Sequence, residues 1–408
     1  MSHGTTEKEI RSKPMIHSPR PYLTTLTPLR GIAALIVVVF HANLMLMSFM
    51  PIDKPHFVTM GWLWVDFFFV LSGFILSYVY GDTFKSSITT GSYWKYIKAR
   101  FARVYPLHFV TMFFCLICAL IISYYANGLH PFFATMVDPI SAIPSLFLVQ
   151  SLGIYMSAPL NTPSWSLSTE WWMYMIFPLL APFFYRIKFF GKLLTLIGIA
   201  GLFLFVKYYL GPVGLPFPGG SPSLNVVADF GFFRCMAGFL LVMVLFSFYE
   251  KSFAIEFFKQ SWVFVVFFMG TLVVMHNGAE DILVIALFPF IILSAAYNIT
   301  AIKKILDAPF LQRLGDWSFS IYMVHVPIIY VFWIFQMKAN PTMWAEFPPK
   351  PADPSTFPMA LLACVFVVLL TLLLAAFTYR FVEVPTRNYL NKRSKVKVME
   401  AEPAVNVN

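Results

Sequence analysis

Stretches of about 20 mostly apolar residues recur from residue 31 to residue 379, separated by short polar or proline-rich segments. That recurrence constrains the fold more than any other feature of the sequence. A helix of about 20 residues is about 30 Å long, which matches the hydrocarbon thickness of a bilayer. Ten such runs can be placed, at 31–50, 61–80, 104–126, 166–184, 193–210, 231–249, 260–276, 281–298, 317–337 and 358–379. Hydrophobic residues fill 59% of the 408 positions and charged residues 12%, about half the charged share of a soluble domain. The expected fold is an all-α polytopic membrane protein of about ten transmembrane helices. The stretch "SAIPSLFLVQSLGI" at 141–154 is too short to cross. It is expected to lie at the interface or to re-enter against protein, where irregular backbone is tolerated.

Basic residues set the orientation, because Lys and Arg accumulate in cytoplasmic segments. With the N-terminus inside, 24 of the 29 Lys and Arg fall in inner segments and 4 in outer ones, with Arg234 near the outer end of its span. Both termini are expected in the cytoplasm. The same asymmetry accounts for the net charge of +10 through anionic lipid, so no nucleic-acid partner is needed. The polar start, 1–28, lacks the short apolar core and cleavage site of a signal peptide. The expected organisation is a tail at 1–28, one membrane domain at 29–390, and a basic tail at 391–408. All four cysteines (115, 118, 235, 364) fall inside spans, as inert small hydrophobes do. No two histidines stand four apart, and no metal is expected.

Ionisable residues inside a span are functional candidates. The first run reads "LRGIAALIVVVFHANLML" from Leu29 to Leu46. Eleven helical residues turn about 1100° and rise about 16 Å, so Arg30 and His41 share a stripe. Arg30 would mark the cytoplasmic mouth, with His41 just past the midplane. Asp66 and Glu170 enter spans two and four from the outside, with Tyr174 one turn beyond Glu170, and Arg234 opens span six. Imidazole is the usual base near neutral pH, and a carboxylate on its other nitrogen would fix its tautomer. The plainer reading of the two carboxylates is a structural pair with Arg234, and that of His41 is a satisfied core histidine. On the inner side, "KYIKARFARVYP" carries Arg100 and Arg103 on one helix face. They are placed to grip phosphate as paired forks, although ordinary basic decoration of a helix end explains them equally. Tyr322 and His325 enter span nine from inside, and Glu383 ends span ten.

The motifs, in this order, resemble the membrane acyltransferase-3 family of O-acyltransferases. "LRGIAALIVVVFH" looks like its first-helix arginine and histidine motif. "VDFFFVLSGF", "RFARVYP", "WSLSTEWWMYMIFP", "LGDWSFSIYMVHVP" and "FVEVP" look like its later blocks, from Leu29 to about Leu390. The resemblance implies a ten-helix core that moves an acyl group, usually acetyl, from cytoplasmic acyl-coenzyme A to a hydroxyl of a surface glycan or lipid-linked saccharide. It implies residence in a bacterial inner membrane. By the same resemblance His41 is the essential histidine, Arg30 is the arginine of that motif, and Arg100 and Arg103 are the pair that handles coenzyme A. Asp66, Ser72, Gly73, Glu170, Tyr174, Tyr322, His325 and Glu383 match recurring positions. One departure is Val242, where the span-six block often has glycine. The expected mechanism holds the donor phosphates at Arg30, Arg100 and Arg103 and points the thioester at His41, acting as base or nucleophile. Asp66 or Glu170 would orient its ring. The competing reading of ten helices with intramembrane His, Asp, Glu and Arg is a proton-coupled or sugar transporter, against which stands the lack of an internal repeat. The acceptor, the acyl group and the oligomeric state stay open at this point.

Overall fold

Inside a bilayer no water satisfies backbone N–H and C=O groups, so an apolar run has to supply its own hydrogen bonds as a helix. A computed structural model describes residues 20–46, 56–126, 128–155, 157–213, 222–227, 229–340 and 357–391. Within them the chain is helices joined by turns. These are α1 (Leu26–Met45), α2 (Trp64–Phe84), α3 (Thr90–Tyr125), α4 (Pro131–Met136), α5 (Ala142–Leu146), α6 (Ser164–Arg186), α7 (Phe189–Phe205) and α8 (Gly231–Glu250). They continue as α9 (Ile255–Phe258), α10 (Ser261–His276), α11 (Asp281–Tyr297), α12 (Ala301–Leu306), α13 (Pro309–Asp316), α14 (Ser318–Ala339) and α15 (Phe357–Thr378). Short π-helical turns extend α7 to Leu210 and carry α15 on through Glu383.

Seven helices among the described residues are long and apolar enough to cross a membrane, built on α1, α2, α3, α7, α8, α14 and α15. The shorter apolar α10 and α11 and the 23-residue α6 overlap the other three expected runs. The tight turn between α10 and α11 holds Gly278 at φ +67, a left-handed conformation that glycine adopts without strain. Two boundaries differ from expectation. Helix α1 begins at Leu26, because Pro28 falls in its first turn, where an N–H has no partner to lose. Helix α3 begins at Thr90 rather than near 104, started by a capping box in which Thr89 and Ser92 exchange hydrogen bonds. The basic "KYIKARFAR" stretch is therefore helical.

The segment 141–154 folds as α5 and a run of turns packed against α3 and α6. Its carbonyls are met by side chains: Ser145 O by His108 Nε2 (2.9 Å), and Leu148 O by Ser168 (2.7 Å) and Trp172 (2.9 Å). Leu148 holds φ +55. The most apolar stretches of α2 and α14 are 67% and 72% buried and those of α7 and α15 only 17% and 28%, which puts the first pair at the centre and the second at the lipid-facing rim. Helices α2, α6, α8 and α11 share one apolar core, and α1, α3, α14 and α15 share a second. Val242, the departure noted in span six, fills the space above Gly73, whose Cβ would stand 2.5 Å from it. The two tails (1–19 and 392–408) and the stretches 214–221 and 341–356 lie outside the described residues.

Candidate active site

Five helices from the two cores meet around a cavity of about 130 Å³. Helix α1 contributes Arg30; α2 contributes Phe68, Ser72 and Leu76; α3 contributes Arg100 and Arg103; α6 contributes Ser166, Glu170 and Tyr174; and α14 contributes Ser318, Phe319 and Tyr322. The polar groups come from five separate apolar runs, so the contacts that cross the cavity join residues far apart in sequence.

The three arginines predicted from the sequence line this one cavity. Arg30 has neither a hydrogen bond nor an ion-pair partner among the described residues. Arg100 donates from Nη2 to the Tyr80 hydroxyl (3.1 Å) and lies over the Tyr80 ring at 5.3 Å. Its Nε is buried without an acceptor among the described residues. Arg103 pairs with Glu383, whose second oxygen accepts from Ser320 (3.0 Å), and lies over Phe319 at 5.7 Å. Three guanidinium groups face one cavity with a single carboxylate, Glu170, and neither Arg30 nor Arg100 is in ion-pair contact with a carboxylate among the described residues, an arrangement that can hold an anion. Tyr80 and Ser320 were not singled out in the sequence, because a tyrosine and a serine at helix positions carry no signal until their neighbours are known.

Glu170 accepts a hydrogen bond from Ser72 across the cavity. It therefore sits with the arginines and not beside His41. The farther wall is Tyr322, whose hydroxyl donates to Pro163 O (3.1 Å) and lies 2.7 Å from the Ser166 hydroxyl, with Phe68 edge-on at 5.7 Å.

One turn past Tyr322 on α14 is His325, fully buried, and against it lies His41. His325 Nε2 is 3.3 Å from His41 Nδ1, and the ring centroids are 5.0 Å apart. Each ring also reaches back along its own helix, His41 Nδ1 to Val37 O (3.0 Å) and His325 Nδ1 to Ile321 O (3.3 Å). The sequence marked both histidines without pairing them. Local chemistry holds this part of α14 in place. Pro327 lacks the N–H that would bond Met323 O four residues back, and Asn161 Nδ2 donates to that carbonyl instead (2.9 Å).

Asp66 and Arg234 form a pair of their own. Arg234 is fully buried and donates to both carboxylate oxygens, from Nε at 2.9 Å and Nη2 at 2.5 Å, between the rings of Trp62 and Trp165. Both oxygens of Asp66 thus face a cation. Asp66 holds the starts of α2 and α8 together, which is the plainer of the two readings of its sequence position, and it does not contact the His41 ring. The outer-half cluster of imidazole, carboxylates and guanidinium is divided in three: a histidine pair, an Asp66–Arg234 bridge, and Glu170 with the arginines. Helical depth was readable from the sequence; the direction in which each side chain turns was not.

Residues 26–376 match a family described as an acyltransferase domain. The chain is similar to acyltransferase MdmB of Streptomyces mycarofaciens, with 30% identity over 329 residues, 75% of this chain and 79% of the relative. It is similar to protein 2 in the picA locus of Rhizobium radiobacter, with 33% identity over 172 residues, 38% of this chain and 81% of that protein. With O-acetyltransferase OatA of Staphylococcus aureus it shares 22% identity over 403 residues, 93% of this chain and 59% of OatA. No solved structure matches the chain.

Proposed function

This chain belongs to the acyltransferase-3 family of membrane O-acyltransferases, and from that premise we propose that it takes an acyl group, acetyl in the first instance, from cytoplasmic acyl-coenzyme A and passes it to a hydroxyl of a surface glycan or lipid-linked saccharide. The observation that carries the donor half is the cavity that gathers Arg30, Arg100 and Arg103. Coenzyme A is a polyphosphate with a long, thin acyl-bearing arm. A cavity of about 130 Å³ is smaller than a whole ligand site of this class. It suits the arm and a phosphoryl group, with the nucleotide left at the mouth on the side where α1 begins.

The arm then runs along α1 from Arg30 toward His41, past Tyr322. His41 removes the proton of the acceptor hydroxyl, and the freed oxygen attacks the thioester carbonyl. The carbon–sulfur bond breaks, and the proton passes to the departing thiolate, so that coenzyme A leaves as the free thiol. Glu170 and Ser72, hydrogen-bonded across the cavity, position the arm by polar contact. The Asp66–Arg234 bridge keeps α2 and α8 fixed around it. The OatA name supports an acetyl group, and the same geometry takes any short acyl chain.

The test is turnover of acetyl-coenzyme A by the purified protein, with water taking the place of the acceptor hydroxyl and acetate as the second product, read as free thiol. The wild-type protein should release thiol, and His41→Ala should reduce the rate by at least ~100-fold. Thiol release by His41→Ala at the wild-type rate would remove His41 from the chemistry.

A further inference from the structure

The histidine pair supports a role for His325 that follows from which atoms carry hydrogen. A backbone carbonyl oxygen only accepts. The contacts of His41 Nδ1 with Val37 O and of His325 Nδ1 with Ile321 O are therefore hydrogen bonds only if both Nδ1 atoms are protonated. The neutral rings then carry their lone pairs on Nε2. His325 Nε2, 3.3 Å from His41 Nδ1, accepts from it, and His41 Nδ1–H is shared between that nitrogen and Val37 O. The opposite assignment sets lone pairs against the two carbonyl oxygens. The arrangement leaves His41 Nε2 as a free base.

We infer that His325 is the positioning residue of the transfer: through Nε2 it holds His41 in the Nδ1–H tautomer and accepts more strongly from the imidazolium formed when His41 takes the hydroxyl proton. The inference rests on the reading of His41 as the reacting base. In many sites a carboxylate fills this place. Both rings here are buried, where an anion is far costlier to desolvate than a neutral imidazole. Of the two carboxylates foreseen for that place, Asp66 is bound to Arg234 and Glu170 accepts from Ser72 in the arginine cavity. His325 also connects the reacting ring to the donor side, since Tyr322, one turn earlier on α14, lines the arginine cavity.

A purely structural role, joining α1 to α14, would change stability and leave turnover per folded molecule alone. Full-length protein in detergent or lipid discs, given acetyl-coenzyme A and read as free thiol, separates the two. His325→Phe keeps a ring and loses the acceptor. Its kcat is expected to fall about 100-fold, with the donor KM within about twofold of wild type. His325→Gln reaches the Nε2 position with its amide oxygen and should restore about tenfold of that loss, whereas the shorter His325→Asn should not. Wild-type kcat in His325→Phe, with His41→Ala inactive, would overturn the inference and leave the functional reading standing. If His325→Phe does not purify as a folded protein, Gln against Asn decides, and equal rates for those two overturn it. Normal turnover in His41→Ala overturns the functional reading and this inference together.

Discussion

At the scale of single residues, the three arginines do not do the same thing. Arg30 and Arg100 share the cavity with Glu170 but make no ion-pair contact among the described residues, whereas Arg103 is paired with Glu383, itself only 1% exposed. A charge-assisted hydrogen bond contributes roughly 1.5–3 kcal/mol, so Arg100→Ala and Arg103→Ala should each raise the donor KM by about 10- to 100-fold. Arg103→Ala should in addition lower the thermal midpoint, because it strips a buried carboxylate of its main partner. Steady-state kinetics beside a thermal melt checks both, and an unchanged donor KM in both variants takes the pair out of the donor site. Much of this residue-level picture was legible. Titratable groups are expensive in an apolar run, so Arg30, His41, Glu170, His325 and Glu383 stand out from their surroundings in the sequence alone. Their partners did not stand out, because a pairing such as Arg103 with Glu383 spans 280 positions and depends on how five helices are rotated.

At the scale of elements, proline and glycine explain most of what hydropathy misses. Pro28 is tolerated within the first turn of α1, so Arg30 is set one turn into the helix rather than at its start. Gly31 lets α1 lie against α13, since a Cβ there would come within 2.6 Å of the Leu314 backbone. Pro327 frees the carbonyl of Met323, and Asn161, at the entry to α6, takes it up. Removal of that side chain should leave a buried acceptor unsatisfied beside the histidine pair. Asn161→Ala is expected to destabilise the protein by about 1–3 kcal/mol, read as a lower unfolding midpoint in detergent. A midpoint equal to wild type would mean that this carbonyl finds another donor. The existence and order of the long helices followed from length and composition, because the bilayer leaves a chain little alternative. The start of α3 did not, since a capping box of Thr89 and Ser92 is a local device that outweighs a polar stretch.

At the scale of the whole molecule, contacts gather at two ends. Arg20 bridges Asp82 and Glu250, joining the start of α1 to the ends of α2 and α8, and Lys303 bonds Thr24 beside them. At the other end His56 touches His276, Trp333 donates to Met45 O (2.6 Å), and Asp281 holds the chain at Leu224. Arg30, in the second turn of α1, sets the arginine cavity toward the first end, the end that the distribution of basic residues leads us to expect in the cytoplasm. All four cysteines are buried, so introduced thiols report the topology cleanly. Ser87→Cys, exposed at the first end, should resist a membrane-impermeant maleimide in intact cells and react after permeabilisation. Ile154→Cys, 67% exposed on the chain entering α6, should react in both. The reverse pattern would invert the orientation and put the donor site on the wrong face. What the sequence by itself determined was the kind of molecule and the depth of its polar groups, because hydrophobic length and charge asymmetry act along the chain and need no tertiary information. Only the tertiary structure decided which groups meet. It set Arg234 against Asp66, Ser72 against Glu170, and His325 against His41, because a side chain's direction around its helix is fixed by the packing of the neighbouring helices.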